Sequence, residues 1–139
     1  MTDPQLLSAA SISTAGVLLL SIVAIEWGGT FLLAIVRGRH PATPFQLAFA
    51  RAGHAHAGVL VILALVCQIF VDGADMSGPV ELLARSGVPA AAVLMSAGFF
   101  LSSAGRDVTQ PNRLIWVLYA GVAVLSVGVV SLGVGLLTA

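Results

Sequence analysis

The sequence predicts an all-α integral membrane protein, a four-helix up-down bundle with both termini extracytoplasmic. Three observations predict it. Hydrophobic residues make up 58% of the 139-residue chain and charged residues only 9%, against roughly 25% charged in a soluble domain, and the mean hydropathy is +1.04. Four apolar runs are each long enough to cross a hydrocarbon core of about 30 Å, which takes roughly 20 helical residues. The arginines gather in alternate connections between those runs.

The first span is expected over residues 13–36. The second is expected over 44–71, because Thr43-Pro44 reads as a helix N-cap followed by a first-turn proline. The third is expected over 87–103, with Ser-Gly before it and Ser-Ser-Ala-Gly after it. The fourth is expected over 114–137, just beyond Pro111. All four make one transmembrane domain, 1–139. Arg37, Arg39, Arg106 and Arg113 flank the first and third connections, and only Arg85 falls in the second. The positive-inside rule then puts those two connections in the cytoplasm and both termini outside. The acids Asp72, Asp75 and Glu81 are read into the outer connection. Gly121, Gly128 and Gly135 recur along one stripe of the last span, a pattern that permits close helix approach. Short connections favour antiparallel neighbours.

Composition also excludes functions. Formal net charge is zero and there is no lysine, so the basic patch that a nucleic-acid partner requires is missing. One cysteine, Cys67, allows no intrachain disulfide, and no covalent haem motif C-x-x-C-H occurs. No nucleotide-binding glycine loop or sizeable soluble segment supports a hydrolase or a kinase. The start, MTDPQLLS, has no basic n-region, so the first apolar run is expected to stay as a helix.

Polar groups inside the spans carry the chemistry. Glu26, in AIEWGG, lies eleven residues before Arg37, about 16 Å at 1.5 Å per residue. A charge at the bilayer centre costs about 2.5–3.5 kcal/mol, which marks it as a functional candidate. RAGHAHAG, residues 51–58, adds Arg51, His54 and His56. Folding the first hairpin about His40-Pro41 sets Glu26 opposite positions near 54 to 56, with Arg51 about one turn nearer the cytoplasm. A later start of the second helix, near Gly53, would instead leave the histidines interfacial. Arg51 would then snorkel to water, or pair with Glu26 as a structural lock.

Residues i and i+2 on an α-helix lie about 200° apart, so His54 and His56 face opposite sides. A one-face chelate uses i and i+4 or i and i+3, and neither spacing is present. Ala52, Gly53, Ala55, Ala57 and Gly58 leave room beside the imidazoles for a large flat ligand, or equally for tight helix packing. Cys67 reads as a small core residue, and Trp27 as a packing residue or one that stacks on a cofactor.

The run RAGHAHAGVLVILALV resembles the histidine-bearing helices of the haem-copper oxidase catalytic subunit. That family arranges twelve helices in three arcs of four, with its ligands on the second helix of each arc. One of those helices bears a His-x-His pair whose imidazoles ligate different haems. The resemblance as sequence covers about residues 50–66. It includes no tyrosine-linked histidine and no histidines for a copper ion, so oxygen reduction is not implied. It implies a haem b protein in which His54 of one protomer and His56 of the next are axial metal ligands at each interface of a homo-oligomer, a trimer by analogy. In that arrangement Arg51 would pair with a haem propionate. Glu26 would support a ligating histidine or relay protons.

The leading expectation is therefore a multi-pass protein of the cell membrane, of bacterial inner-membrane type, binding haem b for electron transfer or redox sensing. It would be an electron-transfer protein or oxidoreductase with an unidentified electron partner. A proton or metal-ion transporter using Glu26 and the histidines is the second expectation. A structural membrane subunit is the third.

Overall fold

The computed structural model describes residues 7–74 and 76–139. The opening residues read for a signal sequence, and Asp75, lie outside the described part. Four helices follow one another: α1 (Ala9–Val36), α2 (Pro44–Gly73), α3 (Gly78–Ser102) and α4 (Ile115–Thr138). Each is long and apolar enough to cross a membrane. α3 and α4 pack most closely, α2 lies against α3, α1 lies against α2, and α2 only brushes α4. The result is an antiparallel row in which each helix leans chiefly on its neighbour in sequence.

Local signals set the starts of the first two helices. The Ser8 hydroxyl accepts from the Ser11 N–H and caps α1. Thr43 and Gln46 form a reciprocal capping box ahead of α2, with Pro44 in its first turn. Two of the orphan amide donors at this end are thus satisfied by side chains. The early start of α2 is the one expected from Thr43-Pro44.

α3 corrects the expected boundary. It begins at Gly78 rather than near Gly87, with Pro79 in its first turn and Pro89 in its interior. Ser86-Gly87 reads as a breaker but lies mid-helix, where Gly87 meets Gly128 of α4. A methyl on Gly87 would lie 2.6 Å from the Gly128 Cα. Pro89 has no N–H to give to the Arg85 carbonyl four residues back. The Gln68 side chain of α2 donates to that carbonyl instead, at 2.9 Å. A neighbouring helix thus repairs the ladder, as membrane helices with interior proline require.

The glycine stripe of α4 is the α3–α4 seam. Gly121 meets Met95, Gly128 meets Gly87 and Gly135 meets Met76. The core proper is built by α2 and α3, with Val61, Ala64, Cys67 and Val71 against Ala84, Val88, Ala92 and Met95. α1 contributes only Ser11 and Leu18 as buried residues.

At the terminal end, Arg85 ties three helices together. It donates to Asp72 of α2 at 2.9 Å and to Glu81 of its own helix at 2.8 Å, and also to the Ser11 hydroxyl of α1. Asp72 in turn accepts from the Ser8 amide at 2.7 Å and the Ser8 hydroxyl at 2.9 Å. Asp72 and Glu81, read from sequence as loop acids, are therefore helix residues in a shared polar knot. At the opposite end, the 103–114 connection is fastened over the start of α2. Gln46 Nε2 donates to the Ser103 and Gly105 carbonyls at 3.0 and 2.9 Å, and the Thr43 hydroxyl donates to the Val108 carbonyl.

Two expected outcomes follow from this packing. Gly128→Val should cost at least the 1–3 kcal/mol typical of overpacking, because backbone lies opposite, whereas Gly133→Ala, with open space around it, should change stability by under about 0.5 kcal/mol; thermal melting in detergent compares them. Arg85→Met leaves two carboxylates without their cation and should cost about 3–5 kcal/mol. The triple variant Arg85→Met/Asp72→Leu/Glu81→Leu should recover much of that loss in the same assay.

Candidate functional site: two imidazoles on opposite flanks of α2

α2 begins at Pro44, so His54 lies ten residues inside it, about 15 Å along its axis. The histidines are within the span and not at its mouth. Both are half-buried, and they leave the helix toward different neighbours.

His54 points toward α1. A methyl placed on Gly29 would lie 3.4 Å from His54 Cε1, and one on Gly28 would lie 3.6 Å from Nδ1. The two glycines that follow Glu26-Trp27 are therefore the ledge on which this imidazole rests. Beside it lies a cavity of about 450 Å³ in the corner between α1, α2 and α3, within the roughly 300–1,000 Å³ range of ligand sites. Ala24, Gly28, Ala57 and Ala92 keep its walls thin, and Pro89 and Phe100 bound it on α3. Its few polar residues are His54, Ser21 and Ser96. The Ser21 hydroxyl donates to the Leu18 carbonyl at 2.6 Å. The Ser96 Oγ is shielded from solvent and has no hydrogen-bond partner among the described residues.

His56 points toward α3. Its ring lies 5.0 Å from that of Phe99, tilted by 39°, and its Nδ1 is 2.8 Å from the Ala52 carbonyl oxygen. A carbonyl only accepts, so Nδ1 carries a proton, and in the neutral ring the lone pair is on Nε2. That is the polarised arrangement found in metal-bound imidazoles. Gly53 lets the two helices come this close, since a methyl there would lie 3.0 Å from Phe99 and Phe100.

Glu26 and Arg51 are at comparable depth but on another flank. On α1, Glu26 is about 60° round from Gly29, on the side away from the cavity-lining residues; on α2, Arg51 is about 60° round from His54, again away from Ala57 and Val61. Both side chains are exposed. No Glu26–Arg51 ion pair forms, because the ion pairs among the described residues are those of Arg85. Glu26 makes no hydrogen bond to either imidazole, and the lattice of contacts at His56 is completed by Ala52 instead. The intramembrane lock weighed from sequence is thus replaced by the Arg85 knot at the terminal end. Trp27 is 78% exposed. Cys67 is in the core, as its apolar setting suggests.

Among the described residues no group of three or more His, Cys, Asp or Glu side chains is placed to hold a metal ion. Either imidazole alone is too few donors for a bare ion. A planar tetrapyrrole supplies four equatorial nitrogens itself and asks one axial donor of each side. Comparison with protein families, with curated proteins and with solved structures returned no match for this chain.

The tautomer is directly measurable. Nitrogen-15 NMR of histidine-labelled protein at alkaline pH should show His56 protonated at Nδ1. An Nε2-protonated signal assigned to His56, by its loss in His56→Ala, would contradict the bond to Ala52.

Proposed function

We propose that the chain is a membrane haem b protein in which His54 and His56 each supply one axial imidazole, and that its role is electron transfer or redox sensing. The observation that carries this reading is the divergence of two imidazoles from the interior of one long apolar helix, His54 over Gly28 and Gly29 and His56 beside Phe99. His54 opens on an apolar cavity, and His56 has its Nε2 free. A flat, apolar, metal-bearing ligand matches that set better than an ion or a polar substrate does.

A haem with two imidazoles needs its second ligand from elsewhere, because the two histidines of one chain face apart. A homo-oligomer supplies it, His54 of one copy meeting His56 of another. The likeness of residues 50–66 to the haem-copper oxidase helices supports the same arrangement, a trimer in that analogy. His54 and His56 would hold the group, and the chemistry it would supply with two imidazole ligands is electron passage rather than substrate chemistry at the iron. Arg51 would pair with a propionate, and Glu26 would serve a contact between copies rather than one within the chain. The membrane orientation proposed is the one with the arginine-bearing connections in the cytoplasm of the cell. A proton or ion path through Glu26 and the histidines would need those groups on a common line, whereas Glu26 faces away from the cavity beside His54.

Protein produced with haem supplied should carry a Soret band and a low-spin, six-coordinate reduced spectrum. His54→Ala and His56→Ala should each weaken haem retention by more than the roughly 10–100-fold that follows loss of a supporting residue. Absence of a Soret band from folded, haem-supplied protein, or an unchanged spectrum in both variants, overturns the reading.

A further inference from the structure

Phe100 divides two environments in the corner between α1, α2 and α3. On one side lies the apolar cavity with His54. On the other, Phe100 closes a smaller cavity of about 240 Å³, with Phe31, Ile35 and Ala50 as apolar walls and His40, Gln46 and Gly105 nearer its mouth. This passes into an outer cavity of about 400 Å³ that shares His40, Gln46 and Gly105 and adds Arg106 and Asp107. The lower cavities are therefore amphipathic, apolar at depth and polar at the level where α1 ends and α2 begins.

The hydrogen bonds that frame this mouth are already committed. Gln46 is spent on the Thr43 amide and the Ser103 and Gly105 carbonyls, and Thr43 on Val108. His40 is steadied by Phe31, ring to ring at 5.0 Å. The side chains of His40, Arg106 and Asp107 make no ion pair among the described residues. The connections at this end carry Arg37, Arg39, Arg106 and Arg113 against one acid, Asp107, so four positive charges less one negative leave +3 there with histidine neutral. Basic pockets between membrane helices at such an end attract anionic headgroups.

We propose that this cavity seats one anionic glycerophospholipid from the adjoining leaflet. Arg106 and His40 hold its phosphate, and an acyl chain lies along Phe31 and Ile35. Asp107 stands at the rim and opposes the anion. A free phosphate ion has the same charge but nothing to place against the apolar walls, so a lipid uses the whole cavity and an ion only its mouth. Phe100 separates the site from the cavity beside His54, and the site does not depend on haem.

The test is binding of phosphatidylglycerol to the purified full chain, read by retained adducts in native mass spectrometry and by the shift in thermal midpoint. Phosphatidylcholine and inorganic phosphate are the comparison probes. Phosphatidylglycerol should be retained and stabilising, phosphatidylcholine markedly less so, and inorganic phosphate should do neither. Arg106→Gln should weaken retention roughly fivefold, Asp107→Asn should strengthen it, and Arg113→Gln, which removes the same charge away from the cavity, should change it far less. Equal effects of Arg106→Gln and Arg113→Gln would reduce the site to diffuse surface charge and overturn the proposal. So would equal binding of both lipids, or stabilisation by inorganic phosphate alone. The same measurement on His54→Ala/His56→Ala keeps this outcome distinct from the haem reading, since that variant should bind the lipid unchanged.

Discussion

Arg85 is the interaction on which the arrangement of three helices depends. Its guanidinium has several donors in a fixed fork, so one side chain can serve Asp72, Glu81 and Ser11 at once. α1 has few buried residues to hold it, and its attachment relies on this knot and on the glycine ledge under His54. The knot fixes where α1 starts relative to α2 and α3, and hence which residues of α1 face the imidazole. The Gln68 side chain links it to the interior, donating to the Arg85 carbonyl that Pro89 leaves free.

The α3–α4 seam works by a different principle. Hydrophobic transfer gives no advantage between helices already in lipid, so close van der Waals contact and hydrogen bonds must do the holding. Glycines at 87, 98, 121, 128 and 135 allow backbone to touch backbone or a side chain directly. The two helices then behave as one rigid wall, against which α2 packs its core face. With α3 and α4 so joined and α1 resting on α2, a cavity opens in the corner between α1, α2 and α3 that His54 faces.

Much of the candidate site was legible from the sequence, for a geometric reason. The period of an α-helix alone dictates that residues two apart diverge, so the opposite facing of His54 and His56 needed no coordinates. The N-cap at Thr43 ahead of Pro44 was legible too, and it places both histidines inside the helix. Other features depended on contacts with no local signal. Nothing near Gly28 and Gly29 says that an imidazole rests on them. Glu26 and His54 share a layer by counting, yet the rotation of α1 turns the carboxylate to another flank. The proton on His56 Nδ1 is set by the Ala52 carbonyl one turn back, with the ring lying beside Phe99 of another helix.

The sequence by itself determined the four membrane helices, their alternation and the divergence of the two histidines. These follow from apolar length, from the short connections and from the helical repeat, all of which are local. Only the tertiary structure decided that Ser86-Gly87 and Pro89 lie inside α3, because Gly128 and Gln68 come from other helices to satisfy them. It also decided that the intramembrane acid and base, Glu26 and Arg51, stay apart while Arg85 gathers the acids at the terminal end. Rotation of a helix about its own axis is set by what packs against it, and a one-dimensional pattern does not contain that angle.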